Sequence, residues 1–253
     1  KWHGTSAISA YVMTKTSLSW YEKLYNWFVP RDRRITGVKY DYLIASRKVV
    51  INNNTTIRPG YYGNNEFRVK ADSILRPFMT KGMTIYYEIV GFTDNGSYIQ
   101  KSYDYGCVPP KQDERYTVDK HYKIYVYRIT LTNVDGCIYE LSTQEVQRIV
   151  KSWNVDGVLP VIQLYYGKAD SLYKKDENLE DDWSSWFMEK MANDKNFFME
   201  ELSPDCINKV PHEGIVIKKE TGRSEAWKLK CFKFLNKEQK ELDKGESNIE
   251  DNA

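Results

Sequence analysis

Short stretches rich in β-branched and aromatic residues recur along the chain and constrain its fold more than any other feature. Such stretches are typical of β-strands. They occupy Ala7–Met13, Tyr42–Ile51, Thr84–Val90, Lys123–Leu131, Val161–Tyr166, Gly214–Lys218 and Trp227–Phe232. Turn signals such as Asn95-Gly96 and Asp135-Gly136 separate many of them,. The sequence therefore predicts an α+β fold of mainly antiparallel sheets with flanking helices.

Helices are predicted at three places. Ser142 and Glu145 form a capping box, which is typical of a helix start,. The apolar side chains that follow share one helical face: Val146, Ile149, Val150 and Trp153,. A second helix is predicted over Leu172–Met191, and a third from Asn236 towards Lys244.

The chain's 253 residues can form one large domain, which we expect over 1–235, followed by a polar C-terminal tail over 236–253,. The 37 basic residues nearly cancel the 35 acidic ones. Whole-molecule charge therefore gives no argument for nucleic-acid binding, and a basic groove would have to come from local clustering.

The four cysteines argue against a zinc site. They are widely spaced, with no Cys-x-x-Cys pair, so we expect free thiols in a reducing compartment. No stretch approaches the roughly 18 apolar residues of a membrane span, and no signal peptide is recognisable. The sequence therefore predicts a cytoplasmic protein without a membrane partner.

Four short motifs carry chemistry. The first residues, Lys1-Trp2-His3-Gly4-Thr5-Ser6, place a lysine before a strand, with a glycine that would let backbone approach a bulky ligand,. Glu88 interrupts an apolar strand, and Glu213 precedes Gly214 and another strand. Lys228 and Lys230 share one strand face, where a phosphate would relieve their repulsion,. Taken singly, each motif also fits a solvated surface.

The order of these motifs resembles that of the covalent nucleotidyltransferase superfamily, which includes ATP-dependent ligases and messenger-RNA capping enzymes. The form Lys1-Trp2-His3-Gly4 is similar to the RNA ligase branch related to phage RNA ligase 2 and the RNA-editing ligases. The other matching elements are Ser46-Arg47-Lys48, Tyr87-Glu88-Ile89-Val90-Gly91, Tyr125-Val126-Tyr127-Arg128-Ile129, Glu213-Gly214-Ile215-Val216 and Lys228-Leu229-Lys230. The resemblance spans positions 1 to 230 and implies an ATP-grasp-like adenylyltransferase domain, here a fragment that starts at the nucleophile.

The resemblance implies a role for each matching residue. Lys1 would carry AMP, with Glu213, Lys228 and Lys230 as further catalytic residues. ATP and AMP would contact His3, Gly4, Arg47, Glu88, Tyr127, Lys228 and Lys230, with Tyr127 (or Tyr125 in its place) stacked on adenine. Mg²⁺ or Mn²⁺ would lie near Glu88 and, through water, Glu213. The implied partner is RNA with 5′-phosphate and 3′-hydroxyl ends, as in the repair of nicked RNA, bound by a monomer of viral or phage origin.

Three alternatives stay open. The chain could be an ATP-dependent DNA ligase or a capping guanylyltransferase, or a non-catalytic nucleic-acid-binding module derived from a ligase. The aromatic and basic segment Tyr11–Tyr40 has no counterpart in the family. It is interpreted either as an RNA-contacting flap or as a packed surface helix.

Overall fold

The computed structural model describes residues 3–51, 65–168, 171, 185, 186, 189, 203, 205–220 and 225–243. Its strands are β1 (Thr5–Lys15), β2 (Val38–Ala45), β3 (Val50–Ile51), β4 (Met83–Gly91), β5 (Tyr122–Thr132), β6 (Ile138–Glu140), β7 (Val158–Pro160), β8 (Gly214–Lys219) and β9 (Glu225–Lys230). Its helices are α1 (Trp20–Phe28), α2 (Glu66–Leu75), α3 (Thr143–Ser152) and α4 (Phe232–Asp243).

Seven of these strands form the main sheet, in the order β3-β2-β1-β4-β5-β6, with β7 beside the other end of β5. Every pairing in it is antiparallel except that of β5 with β7. Strands β8 and β9 form a separate antiparallel pair. The predicted mixed fold with mostly antiparallel strands is therefore confirmed.

One face of the main sheet, here called the helix face, carries the larger core cluster. Ile85 and Tyr87 of β4 and Val126 and Ile129 of β5 lie on this face and are fully buried. They pack with side chains of α2 and α3, which are Phe67, Ala71, Leu75, Val146 and Val150. Burial of this apolar surface provides the main driving force for folding.

The opposite face, here called the hairpin face, is partly covered by β8, β9 and α4. Val90 and Tyr125 form a second core cluster with Ile215 of β8 and Phe234 of α4. The predicted site residues of β4 and β5 lie beside this cluster. The pair β4–β5 therefore faces the pair β8–β9, and most of the sequence motifs map to these four strands.

The segment Tyr42–Ile51, predicted as one strand, is a hairpin. The chain turns at residues 46–49, where the amide of Ser46 donates to the carbonyl of Val49 at 2.8 Å. The Ser46 hydroxyl also accepts from the amide of Val49 at 3.2 Å. A serine side chain that bonds nearby backbone can replace glycine or proline as a turn former.

Two other strand predictions were wrong at least in part. Residues Val161–Tyr166 lie beyond β7, where Val161 donates one further backbone bond to Val126 and the chain then leaves the sheet. Strand β9 ends at Lys230 and α4 begins at Phe232, where the sulfur of Cys231 accepts from the amide of Phe234 at 3.3 Å.

The helix predicted from Ser142 is confirmed, with its capping box and with Val146 and Val150 buried. Helix α4 begins before the predicted Asn236 and buries Phe234, so the predicted boundary between domain and tail falls inside a helix. The predicted helix Leu172–Met191 lies outside the described residues apart from Ser185, Trp186 and Glu189.

The four cysteines are free thiols, as predicted. Among the described helices, none has the length and apolar content that crossing a bilayer requires.

Candidate functional site

The N-terminal motif meets the motif before β8. Nδ1 of His3 lies 3.1 Å from Oε2 of Glu213, a contact between residues 210 positions apart. The Glu213 side chain is fully enclosed, and the His3 side chain is 15% exposed. Hydrogen bonds that involve a charged group are stronger than neutral ones, especially away from water. The contact brings the N-terminal motif and the motif before β8 together at one place.

Tyr105 holds the backbone of His3 at this position. Its hydroxyl accepts from the His3 amide at 3.2 Å and donates to the His3 carbonyl at 3.1 Å. Burial raises the pKa of Tyr105 well above its ordinary value, so the hydroxyl keeps the proton that it donates,. The His3 ring also contacts Tyr103, with centroids 4.8 Å apart, and Phe234 at 5.2 Å.

Gly4 lets the N-terminal motif approach β4. A Cβ atom at this position would lie 2.6 Å from the carbonyl oxygen of Ile89. The sequence prediction assigned this glycine to a close approach by a ligand, whereas in the structure the close neighbour is backbone. Only glycine allows the chain to enter β1 so close to β4.

Glu88, Ser6 and Tyr127 lie together on the hairpin face. Ser6 is paired directly with Glu88 across β1 and β4. The Ser6 hydroxyl lies 3.4 Å from the hydroxyl of Tyr127. Burial raises the pKa of Tyr127, and the negative charge of Glu88 raises it further, while the bond with Ser6 acts in the opposite direction. Glu88 and Tyr127 are both half-buried.

Tyr127 reaches this position because β5 contains a bulge. Tyr87 pairs with Val126 and Tyr86 with Arg128, so Tyr127 is the extra residue between two pairs. A bulge of this kind disrupts the strict alternation of side chains and re-aims those beside it. Arg128 accordingly lies over the Tyr86 ring, 4.8 Å from its centroid. The alternation in the sequence gave no sign of this irregularity.

Arg128 belongs to an ion-pair cluster that ties β8 to the main sheet. Its guanidinium lies 2.7 Å from Oε2 of Glu140, and the Lys218 ammonium is 3.6 Å from Oε1 of the same carboxylate. Lys218 also donates to the carbonyl of Tyr127 at 3.0 Å. These contacts fix the distance between the hairpin strands and the bulge. Sequence reasoning missed the cluster, since its members are far apart in the chain.

Tyr125 is too buried to be the ring that the resemblance expects to stack on adenine. It is 1% exposed and packs inside the second core cluster. A ligand could reach its ring only after that cluster opened. The interpretation of Tyr125 as the alternative stacking residue is therefore wrong for this structure.

The two lysines of β9 have different surroundings. Lys228 is exposed and pairs with Val216 of β8, which is also exposed. Lys230 donates to both carboxylate oxygens of Glu238 in α4, at 2.9 and 3.0 Å. Lys228 is thus open to an anion from solvent, whereas Lys230 already binds a carboxylate. Glu238 was not singled out from the sequence because it fell in the predicted tail.

Arg47 lies in the exposed turn between β2 and β3. Ala45 is paired with Ile8 near the start of β1, so the turn projects from the same end of the sheet as Gly4 and Glu88. The structure therefore brings His3, Gly4, Glu88, Tyr127 and Glu213 together and places Arg47 at the same sheet end. The predicted nucleophile, Lys1, lies outside the described residues.

The metal role predicted for Glu213 does not fit the structure. Magnesium keeps several of its water ligands, so even a water-mediated contact needs a solvated carboxylate. The Glu213 side chain has no solvent exposure and binds His3. Within the described ranges, no group of three or more His, Cys, Asp or Glu side chains could hold a metal ion. The half-buried Glu88 is the candidate that fits better.

A separate open groove lies beside α3. Its lining includes Gln147, Arg148 and Lys151 of the helix and Leu159 and Ile162 after it. Except for the buried Tyr125, it contains none of the residues that the sequence motifs single out.

In comparison with known proteins, the chain matches no protein-family model, and no curated protein matches it.

Proposed function

We propose that this chain is the adenylyltransferase core of an ATP-dependent RNA ligase, with an ATP-grasp-like arrangement of its two sheets. The observation that carries the proposal is the contact between His3 and Glu213. These residues belong to motifs at opposite ends of the resemblance, and unrelated surface motifs would have no reason to meet. The position of Glu88 beside Tyr127 on the same sheet supports it further.

The reaction begins with a nucleophilic attack. The Lys1 amine attacks the α-phosphorus of ATP, a P–N bond forms, and the bond to the pyrophosphate oxygen breaks as an amine proton is lost. A free lysine has a pKa of about 10.4, so its amine needs nearby positive charge to lose that proton. The exposed Lys228 would supply such charge and contact phosphate,. Bound Mg²⁺, beside Glu88, would neutralise phosphate charge.

The remaining steps transfer AMP and then release it. An oxygen of the RNA 5′-phosphate attacks the AMP phosphorus, and Lys1 leaves as the amine. A 3′-hydroxyl then attacks the activated 5′-phosphate, loses its proton, and AMP leaves. In these steps Glu88 would bind ribose hydroxyls, Tyr127 would stack on adenine, and Arg47 would bind phosphate through its planar guanidinium.

His3 and Glu213 would not take part in the chemical steps but would position the residues that do. Their contact holds the residues just after Lys1 against the strand pair that carries Lys228. A displacement of about 1 Å can cost an enzyme roughly a hundredfold in rate, so such a fixed connection matters for the attack.

The test is detection of a covalent AMP adduct by intact mass after incubation with ATP and magnesium. We expect an adduct on the wild-type chain and none on Lys1→Ala or Lys1→Arg, because a guanidinium stays protonated. Lys101→Ala, at an exposed lysine outside the motifs, is the matched control and should keep the adduct. AMP transfer by Lys1→Arg at the wild-type rate would refute the assignment of the nucleophile.

The same assay tests the phosphate contact and the alternatives. Lys228→Ala should strongly slow adduct formation, and a wild-type rate would place Lys228 on a merely solvated face. Nicked RNA against nicked DNA, and ATP against GTP, distinguish an RNA ligase from a DNA ligase and a capping enzyme. RNA binding with no adduct from any nucleotide would favour the non-catalytic module.

A further inference from the structure

The segment of residues 15–39, here called the arm, connects β1 to β2 and contains α1. It starts as a continuation of the two strands, since the Thr16 amide donates to the Gly37 carbonyl at 2.8 Å. Six Lys and Arg residues against two Asp and Glu residues give the arm a net charge of +4. The whole chain has a net charge of +2, so the rest of the molecule is net acidic. The arm is therefore one of the places along the chain where positive charge is clustered.

Glu22 and Asn26 of α1 are half-buried, whereas the aromatic side chains of this helix are exposed. Glu22 accepts from the amide and the hydroxyl of Ser19, at 2.8 and 2.5 Å. The Asn26 side chain makes two bonds of 2.7 Å with the backbone of Ile35, one to its carbonyl and one from its amide. None of the nine residues of α1 is buried. The interpretation of this segment as a packed surface helix is therefore wrong.

The outward side chains are large and well exposed. Trp20, Trp27 and Phe28 are 76%, 78% and 75% exposed, and Tyr21 is 61% exposed. A surface helix normally buries its apolar stripe against the core. Here the Asn26 bonds connect the helix to the segment at Ile35 while its aromatic side chains stay exposed, so the aromatic surface is available to a ligand,.

The charge and the ring types together favour nucleic acid as that ligand. Exposed Arg31, Arg33 and Arg34 follow directly after α1. Aromatic rings that stack on bases, interleaved with cations that contact phosphates, are typical of surfaces that bind single strands. A second copy of the chain is disfavoured, because two arms of charge +4 would repel each other. Helices that lie in a membrane interface have a polar face towards water, whereas Glu22 and Asn26 of α1 are half-buried and bond to Ser19 and Ile35 within the arm,.

We propose that the arm is a docking surface for single-stranded RNA, at a distance from the ends that the enzyme joins. The choice of RNA over DNA rests on the proposed function. Strand β1 runs from Thr5 beside Glu88 to Lys15 at the base of the arm. Its 11 residues span about 33 Å at the usual rise of a strand,. At about 3.4 Å per stacked nucleotide, the arm contacts RNA roughly ten nucleotides from the reacting ends.

The experiment measures binding of a fluorescently labelled 20-nucleotide single-stranded RNA by anisotropy at several salt concentrations. Trp20→Ala with Trp27→Ala should weaken binding at least about tenfold, since stacking contributes about 1–3 kcal/mol per base. Arg31→Ala with Arg33→Ala and Arg34→Ala should reduce the slope of log affinity against log salt by about 2, because each phosphate contact contributes about 0.7. Tyr98→Ala, an exposed aromatic outside the arm, is the matched control.

Each result has a distinct meaning. AMP adduct formation without RNA should be unchanged in the arm variants, which also shows that they are folded. Unchanged RNA binding by both arm variants would overturn the docking surface but leave the proposed function standing. Binding of phosphatidylserine–phosphatidylcholine vesicles that depends on Trp20 and Trp27, without an RNA effect, would identify a membrane surface instead. Arm-dependent RNA binding by a wild-type chain that forms no adduct would refute the proposed function alone.

Discussion

The contact between His3 and Glu213 makes the most direct prediction about this structure. His3→Ala removes a hydrogen-bond partner from a carboxylate that has no solvent exposure. A hydrogen bond to a charged group contributes about 1.5–3 kcal/mol, and an enclosed acceptor gains no water to replace a hydrogen bond that is removed. We therefore expect His3→Ala to lower the free energy of unfolding by about 2–3 kcal/mol. For a domain of this size that corresponds to a fall in Tm of about 4–12 °C.

Two further variants separate the hydrogen bond from ring packing. His3→Phe keeps a ring beside Tyr103 and Phe234 but has no nitrogen to bond Glu213. Glu213→Gln keeps the shape of the acceptor and removes its charge, so it should cost less than His3→Ala. In a double-mutant cycle of His3→Phe with Glu213→Gln, we expect a coupling free energy of about 1–3 kcal/mol.

Urea unfolding and thermal unfolding, followed by circular dichroism, measure these differences. Glu225→Gln, at an exposed position of β9, is the control and should leave Tm unchanged. A coupling free energy below about 0.5 kcal/mol would mean that the two residues act independently. In that case the N-terminal motif and the β8 motif do not meet in solution, and the main support for the proposed site is lost.

Two other predictions concern backbone packing and thiol chemistry. Gly214→Ala should destabilise the fold by more than about 3 kcal/mol in urea titrations, since its Cβ would lie 1.9 Å from the Leu229 carbonyl oxygen. Gly136→Ala, which has open space around it, is the comparison, and an equal loss in both would contradict the steric argument. Burial raises the pKa of Cys107 to about 11, so at pH 8 iodoacetamide should label the exposed Cys137 first,. Cys107 labelling should accelerate only as the pH approaches 11, and equal rates at pH 8 would be inconsistent with its burial.

The sequence predicted the regular strands well, because they alternate and end at clear turn residues. Strands β1, β4 and β8 lie where the pattern placed them. The turn at Ser46 was missed because it depends on a serine hydroxyl that bonds backbone, a signal much weaker than glycine or proline,. Phe232 was assigned to a strand because it continues an apolar run, although it is the first residue of α4.

Prediction of the site was limited by contacts between distant residues. His3 and Glu213 were each singled out, but their bond spans 210 positions and depends on how the sheets pack. The Tyr105 hydroxyl bonds the amide and the carbonyl of His3, but no motif in the sequence around Tyr105 indicates this contact. Glu238 was dismissed with a polar tail, yet it neutralises Lys230 because α4 folds back towards β9. Such residues become visible only in three dimensions.

The bulge at Tyr127 acts as a phase shift along β5. Val126 and Ile129 are three positions apart, yet both side chains enter the core on the helix face. In an ideal strand, residues an odd number of positions apart face opposite sides. Deletion of Tyr127 would place Val126 next to Arg128, so both residues would keep their partners on β4 and every other side chain of β5 would keep its face,. One residue can therefore be removed at the bulge without exchanging the faces of β5, whereas a deletion from a regular part of the strand would exchange them for every residue beyond it.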